Sequence, residues 1–311
     1  MATAQPTLAL PRTSRRSGLS ERRLAAVMVS PSLVVILIVA AYPIGYAIWL
    51  SLHQYSVLHP GLSRWVGADN YTSALSSGAF WSSVRVTFIF TAISVTLELV
   101  LGMGMALLMH AAFRGRSILR AVVLVPWAIL TVGTAIMWKS IVAPDTGFLN
   151  QVLQALHLPG AHTVWLAKNG YALAVMVFAD VWKTAPFMAL LLLAGLQVIP
   201  DDLQDAARVD GATTWQRFVR VTLPLLRPAI LVALIFRTLD ALRIFDLPFV
   251  LTQGSNGTTT LSLYSYQQLT QNQLIGQGSA LAILTFLIVM AVSLLYIRLG
   301  GQNLRALAEE K

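Results

Sequence analysis

The sequence predicts an all-α, polytopic membrane protein with six transmembrane helices, and three observations carry that prediction. Of its 311 residues, 56% are hydrophobic and 11% charged, with a mean hydropathy of +0.69; a soluble domain carries roughly a quarter charged residues. Six apolar runs each reach the length of about 20 residues that a helix needs to cross a bilayer. With the N-terminus placed inside, fifteen of the 22 basic residues fall on inner segments and only Arg64, Arg85 and Lys168 on outer ones. That bias puts both termini in the cytoplasm.

The runs lie at about 24–52, 84–110, 118–142, 171–196, 225–250 and 279–299. The first follows Arg22-Arg23 but exceeds the apolar core of a signal peptide, about 7–15 residues, and lacks a clear cleavage site, so it reads as an uncleaved span. Ahead of it, residues 1–23 form a cytoplasmic tail, and residues 1–20, rich in Ser, Thr, Pro and Arg, read as disordered. Residues 24–300 form the membrane domain and 301–311 a second cytoplasmic tail. Outer segments fall at about 53–83, 143–170 and 251–278. The last has no charged residue and is rich in Thr, Gln, Asn and Gly, with Asn256-Gly257 as a turn. It is either a solvated loop or a neutral hydrogen-bonding surface for an uncharged ligand or the partner that delivers it.

Composition also excludes. With no cysteine there is no disulfide framework or thiolate metal site, and the five histidines have no ligand-like spacing. Basic residues gather by topology, which argues against a nucleic-acid partner and leaves lipid as the surrounding medium. No G-x-x-x-x-G-K-[ST] phosphate loop is present, so energy for any transport comes from a separate ATPase or an ion gradient.

One inner connection, about 197–223, is long and polar. Pro200-Asp201-Asp202 reads as a helix start, with acids in the first turn. Leu203, Ala206, Ala207 and Asp210 follow at helical spacing, and Gly211 ends that helix. A second helix starts near Thr213-Thr214 with Trp215 and Phe218 on one side, and Leu223-Pro224 ends the unit where the fifth span begins. A membrane-surface helix would present a basic polar face. Here four acids alternate with three arginines, which suits a protein partner better than lipid.

The spacing Asp205-Ala206-Ala207, Gly211, Val221, Leu223-Pro224 resembles the EAA loop of ATP-binding-cassette (ABC) importer permeases. Asp210-Gly211-Ala212 and Pro228 are similar to the carbohydrate branch, the maltose-, glycerol-phosphate- and trehalose-type permeases. Tyr42-Pro43, Trp182, Pro186-Phe187, Phe245-Asp246 and Leu251-Thr252 extend the likeness over about residues 24–300. The chain departs from the family pattern at Asp205, where the family has Glu, and at Gly254-Ser255-Asn256 in place of Gly-Gly-Pro. The resemblance implies a type I importer permease in a bacterial plasma membrane, paired with a second homologous permease subunit. It also implies two ATPase subunits, which bind ATP and magnesium so that this chain binds no cofactor, and an extracytoplasmic sugar-binding protein. Asp205, Ala206, Ala207, Asp210, Gly211, Leu223 and Pro224 would then form the ATPase-coupling loop of a non-catalytic subunit. Likeness to trehalose-type permeases, including Phe236-Arg237-Thr238-Leu239-Asp240-Ala241, points to a disaccharide or oligosaccharide.

Glu98, Lys139, Asp180, Lys183, Arg237, Asp240, Arg243 and Asp246 lie within or near the ends of spans. A charge at a lipid-exposed helix centre costs about 2.5–3.5 kcal/mol on insertion scales, so these face the bundle interior or one another. Asp180–Lys183, Arg237–Asp240 and Arg243–Asp246 are three apart and share helix faces. Arg237, Asp240, Ala241 and Ile244 form one face by periodicity; Lys183, Thr184 and Phe187 form another. These pairs either hold the bundle together or line the solute path, and the family resemblance places the equivalent faces at the sugar site. The expected path residues are therefore Lys183, Thr184, Phe187, Arg237, Asp240 and Ile244. Glu98, with no basic neighbour on its own helix, is expected to pack against a polar group of another helix. Small Gly102, Gly104 and Ala106 allow close helix approach. The alternative from another class is an ion-coupled secondary transporter of a small polar solute; a membrane enzyme would need a nucleophile or metal constellation that the sequence does not present.

Overall fold

The computed structural model describes residues 20–56, 61, 63–111 and 114–309, with side chains given for all of these except residues 21–22 and 299–309. The expected N-terminal tail therefore lies, over residues 1–19, outside the described residues, as do Arg12, Arg15, Arg16 and Lys311. Compact units end at Ala47 and begin at Ile48. The first holds most of helix α1, Glu21–Ser51, whose apolar run contains Pro31 and Pro43.

From Ile48 onward the regular secondary structure among the described residues is helical apart from one hairpin of two-residue strands, β1 His53–Gln54 against β2 Arg64–Trp65. The helices are α2 Asp69–Ser76, α3 Gly78–His110, α4 Arg116–Ala128, α5 Thr131–Ile141 and α6 Phe148–Ala155. They continue with α7 Tyr171–Leu196, α8 Asp201–Val209, α9 Thr214–Arg217, α10 Leu223–Ala241, α11 Asp246–Thr252, α12 Leu261–Tyr266 and α13 Ile275–Glu309. Helix α13 thus continues through most of the expected C-terminal tail, and residues 310–311 lie outside the described residues.

Helix α7 is the centre of the core. It is apolar on most of its circumference, as a helix enclosed by others must be, and Met176, Met188, Ala189 and Leu192 are fully buried. Helix α3 packs along it, and α10, α4 and α11 cover further faces. Glycine sets how close α3 comes: a Cβ at Gly102 would sit 2.7 Å from Met188 Cγ and 3.2 Å from the Ala189 amide nitrogen. Gly104, expected to serve the same contact, faces open space.

Two spans differ from their sequence pattern. The third, expected as one helix over 118–142, is α4 and α5 meeting at 90°; Pro126 removes an amide from the last turn of α4, and the chain leaves the helix at Ile129. Hydropathy averages over such a break and cannot register it. The fifth, expected over 225–250, ends at Ala241, and Asp246 opens the separate helix α11.

The uncharged segment 251–278 is folded. Asn256 and Gly257 both have positive φ, +56° and +74°, as the expected turn requires. Asn256 Nδ2 donates to the Leu166 carbonyl (2.8 Å), and the Leu261 amide donates to Thr87 Oγ1 on α3 (2.9 Å). Thr258 and Thr260 are buried.

Replacing Gly102 with leucine should destabilise the membrane domain by about 1–3 kcal/mol through overpacking, whereas Gly104→Ala should be neutral. Thermal unfolding of the purified protein reads the difference.

Candidate functional site

Two constructions stand out, a polar turn between α7 and α10 and an ion cluster inside the bundle. The turn is specified locally. Asp201 and Asp202 occupy the first turn of α8, where carboxylates complement the helix dipole. At the other end Gly211 takes φ +78°, the Gly211 amide donates to the Arg208 carbonyl (3.1 Å) and the Ala212 amide to the Ala207 carbonyl (3.0 Å). This is a Schellman stop. Thr213 then starts α9 with a capping box: its Oγ1 accepts from the Gln216 amide, and Gln216 Oε1 accepts from the Thr213 amide. A helix stop and a helix start thus share four residues, which fixes the turn without a buried core.

Expected coupling residues fall on this unit. Asp205 pairs with Arg208 at 3.3 Å, both exposed, and such a pair contributes at most about 1 kcal/mol. Ala206 and Ala207 supply carbonyls to the stop, and Asp210 caps α8. Trp215 is 71% exposed and lies 5.7 Å from the Phe218 ring. Together with Leu107 and His110 of α3, Leu196 of α7 and Asp205 they border a cleft of about 820 Å³.

Leu223-Pro224 does not end the unit as expected. Helix runs without interruption from Thr214 to Ala241, because the turn Phe218–Thr222 widens to π geometry and the Leu223 amide donates to the Phe218 carbonyl five residues back. Pro224 has no amide to give to the Arg220 carbonyl, and the wider turn absorbs that loss. Gln204 Nε2 donates to Thr222 Oγ1 (3.0 Å), tying α8 to this turn.

The ion cluster joins three helices. Arg237 on α10 is 2% exposed. Its Nε donates to Glu98 Oε2 (2.6 Å), and its Nη2 donates to Glu98 Oε1 (2.8 Å) and Asp180 Oδ2 (3.1 Å). Its Nη1 donates to Asp240, one turn along α10. Thr184 Oγ1 lies 2.7 Å from Glu98 Oε1 and 2.6 Å from the Asp180 carbonyl. The sequence pairing of Asp180 with Lys183 is thereby corrected: the partner of Asp180 comes from α10, where Arg237 reaches across the helix interface. Glu98 finds the polar neighbour expected of it. Arg243 donates to the Leu239 carbonyl (3.1 Å) and not to Asp246, because the helix has ended between them.

The remaining path residues are dispersed. Asp240 turns its side chain largely outward, 69% exposed. Lys183 and Phe187 are half-buried on α7. Ile244 lies beyond the end of α10, so it does not continue the face of Arg237 and Asp240; its carbonyl accepts from Thr260 Oγ1 (2.9 Å). Trp127, which the sequence reading passed over, stacks on Phe187 with ring centroids 5.4 Å apart and planes 11° from parallel. Its place directly after Pro126 in an apolar run was the available signal.

Comparison with known proteins agrees with this architecture. Residues 98–301 match the family described as "Binding-protein-dependent transport system inner membrane component". The "Trehalose transport system permease protein SugA" of Mycobacterium tuberculosis is 44% identical over 285 residues, 92% of this chain and 91% of that protein. The "Trehalose/maltose transport system permease protein MalF" of Thermococcus litoralis is 43% identical over 282 residues, 90% and 94% of the two chains. Among solved structures, a chain of a "bacterial ABC transporter involved in the import of the acidic polysaccharide alginate" superposes with a TM-score of 0.78 at 23% identity, covering 90% of this chain and 96% of that one. That likeness is one of fold.

Removing Arg237 strands two buried carboxylates. Arg237→Met should destabilise the fold by about 3–5 kcal/mol and lower the yield of assembled protein, whereas Asp240→Asn should assemble normally. Yield after solubilisation and the thermal midpoint check both.

Proposed function

The chain belongs to the family of binding-protein-dependent transport system inner membrane components, and on that premise we propose that it forms half of the translocation path of an ATP-driven carbohydrate importer. Its partners are a second, homologous permease, two ATPase subunits that hold ATP and magnesium, and an extracytoplasmic sugar-binding protein. Both termini face the cytoplasm, as the distribution of arginine requires. The printed names of its relatives, trehalose and maltose permeases, favour a disaccharide.

The carrying observation is the continuity of one helix. The exposed α8–α9 turn, with Asp205, Gly211 and Trp215, is the face offered to the ATPase. From Thr214 the helix runs to Ala241 and bears Arg237 four residues before its end. Motion imposed at the turn therefore reaches the ion cluster, and the cluster passes it to α3 through Glu98 and to α7 through Asp180. Leu223 and Pro224 serve this reading as part of the lever and not as its stop. Breaking a buried ion pair by separating its partners is costly, so α3, α7 and α10 move as one body. Asp240, Lys183 and Phe187 are the groups this reading assigns to meet solute; Arg237 holds Asp240, and Thr184 bonds Glu98. An ion-coupled transporter fits less well, since Glu98 and Asp180 are each engaged by Arg237.

Gly211 provides the test. A Cβ there meets nothing within 4 Å, so a substitution acts through the positive φ alone, at about 1–2 kcal/mol for an ordinary residue. In proteoliposomes containing the whole complex, Gly211→Val should lower ATP-dependent uptake about tenfold, while Gly211→Asn, which tolerates this conformation, should retain most of it. Uptake that follows an ion gradient and ignores both ATP and these substitutions would select the ion-coupled alternative.

A further inference from the structure

We propose that a polar stripe on α3 holds buried water, which joins the Arg237 cluster to the folded segment at the start of α12. Which solute the protein carries has no bearing on it. Ser83, Thr87, Thr91, Ser94 and Glu98 recur every three or four residues along α3. At about 100° per residue they fall within an arc of about 80°. All five are at most 6% exposed, so the stripe faces protein along its whole length. Apolar side chains would fill such a seam without penalty, whereas a buried polar group costs free energy unless it is hydrogen-bonded.

Both ends of the stripe are bonded. Ser83 Oγ donates to the Ala79 carbonyl (2.9 Å). Thr87 Oγ1 donates to the Ser83 carbonyl (2.8 Å) and accepts from the Leu261 amide (2.9 Å), the first of α12. At the other end Glu98 accepts from Arg237 Nε and Nη2 and from Thr184 Oγ1. The middle of the stripe is unsatisfied. Thr91 Oγ1 and Ser94 Oγ are buried with no hydrogen-bonding partner among the described residues. A helical hydroxyl can fall back on the carbonyl four residues earlier, as Ser83 and Thr87 do, and neither of these does so. Leaving a buried hydroxyl unpaired costs about 1–3 kcal/mol, and two of them one turn apart mark a site for a small polar ligand.

Spacing selects water as that ligand. Residues three or four apart on a helix have Cβ atoms about 5–6 Å apart, and one water between two oxygens spans about the same distance. Thr87 to Thr91, Thr91 to Ser94 and Ser94 to Glu98 are each such a step. A carboxylate offers about four acceptor sites; Arg237 and Thr184 occupy three at Glu98, which leaves one for water. Thr87 Oγ1 likewise keeps one lone pair beyond the Leu261 amide. The bonded line then runs from Arg237 through Glu98, Ser94 and Thr91 to Thr87 and α12. One face of α3 thereby ties the ion cluster to the segment that follows α11.

Removing the hydroxyls separates bound water from mere lack of a partner, because the two predict opposite signs. Unpaired hydroxyls carry a penalty that Thr91→Val and Ser94→Ala would relieve, raising the thermal midpoint of the complete complex. Hydroxyls bonded to water should instead lower it in each variant, by about 2–4 °C, while Thr91→Ser stays near the parent. Cryo-electron microscopy of the complex, at a resolution that shows ordered water, should find density within hydrogen-bonding distance of both Thr91 Oγ1 and Ser94 Oγ. That density should be lost in Thr91→Val. Midpoints that rise in both variants overturn the proposal. So does a parent map in which both hydroxyls bond carbonyls one turn back with no density between them. A midpoint that falls when choline replaces sodium assigns the site to a cation and overturns it too. Should Thr91→Val fail to assemble, the parent map and Ser94→Ala decide.

Discussion

Everything inside the bundle is arranged around one guanidinium. Arg237 sits among apolar helices and is held by Glu98 from α3, Asp180 from α7 and Asp240 from its own helix. None of the buried charges is tolerable alone in such surroundings; together they are, because each of the three nitrogens has a carboxylate within hydrogen-bonding reach. Such a cluster contributes little net stability over an apolar core of the same shape. What it supplies is specificity: α3, α7 and α10 have only one mutual register in which every charge is paired.

Close packing makes that register possible. Gly102 lets α3 approach Met188 and Ala189 of α7, and Gly195 lets α7 approach Leu226 and Ala229 of α10. Side chains at either position would hold the helices apart and lengthen the ion pairs. The α8–α9 turn obeys a different logic. It lacks a buried core and is fixed by its caps and the Gln204–Thr222 hydrogen bond, which leaves its outer surface exposed while its one end is continuous with the helix that bears Arg237. That helix is unbroken from Thr214 to Ala241, and the π turn before Pro224 is the one place along it where helical geometry relaxes.

The turn was legible in the sequence because its determinants are local. Gly211, Thr213 and Gln216 act over three or four residues, and spacing alone exposes them. The ion cluster was legible in composition and only partly in pairing. Intrahelical spacing gives Arg237–Asp240, which forms, but it also joins Asp180 to Lys183 and Arg243 to Asp246, whereas the other pairs of the cluster join residues 139 and 57 positions apart. Lone Glu98 was the better clue, since an acid without a neighbour on its own helix must find one elsewhere. The broken third span was invisible for a simpler reason: hydropathy is a sum, and α4 and α5 sum to a span whether or not they are straight. Ile244 fell outside its expected face because periodicity was carried past the true end of α10.

In the proposed mechanism the Arg237 cluster makes α3, α7 and α10 one moving body. The most direct measurement is a pulsed electron-spin distance between labels on exposed positions of α3 and α10, Leu101→Cys and Val232→Cys, in the reconstituted complex with and without ATP. With Arg237 present the distance distribution should stay within about 2 Å between the two states, and with Arg237→Met it should broaden or shift. A displacement of about one helical turn, 5.4 Å, with Arg237 intact would contradict the account.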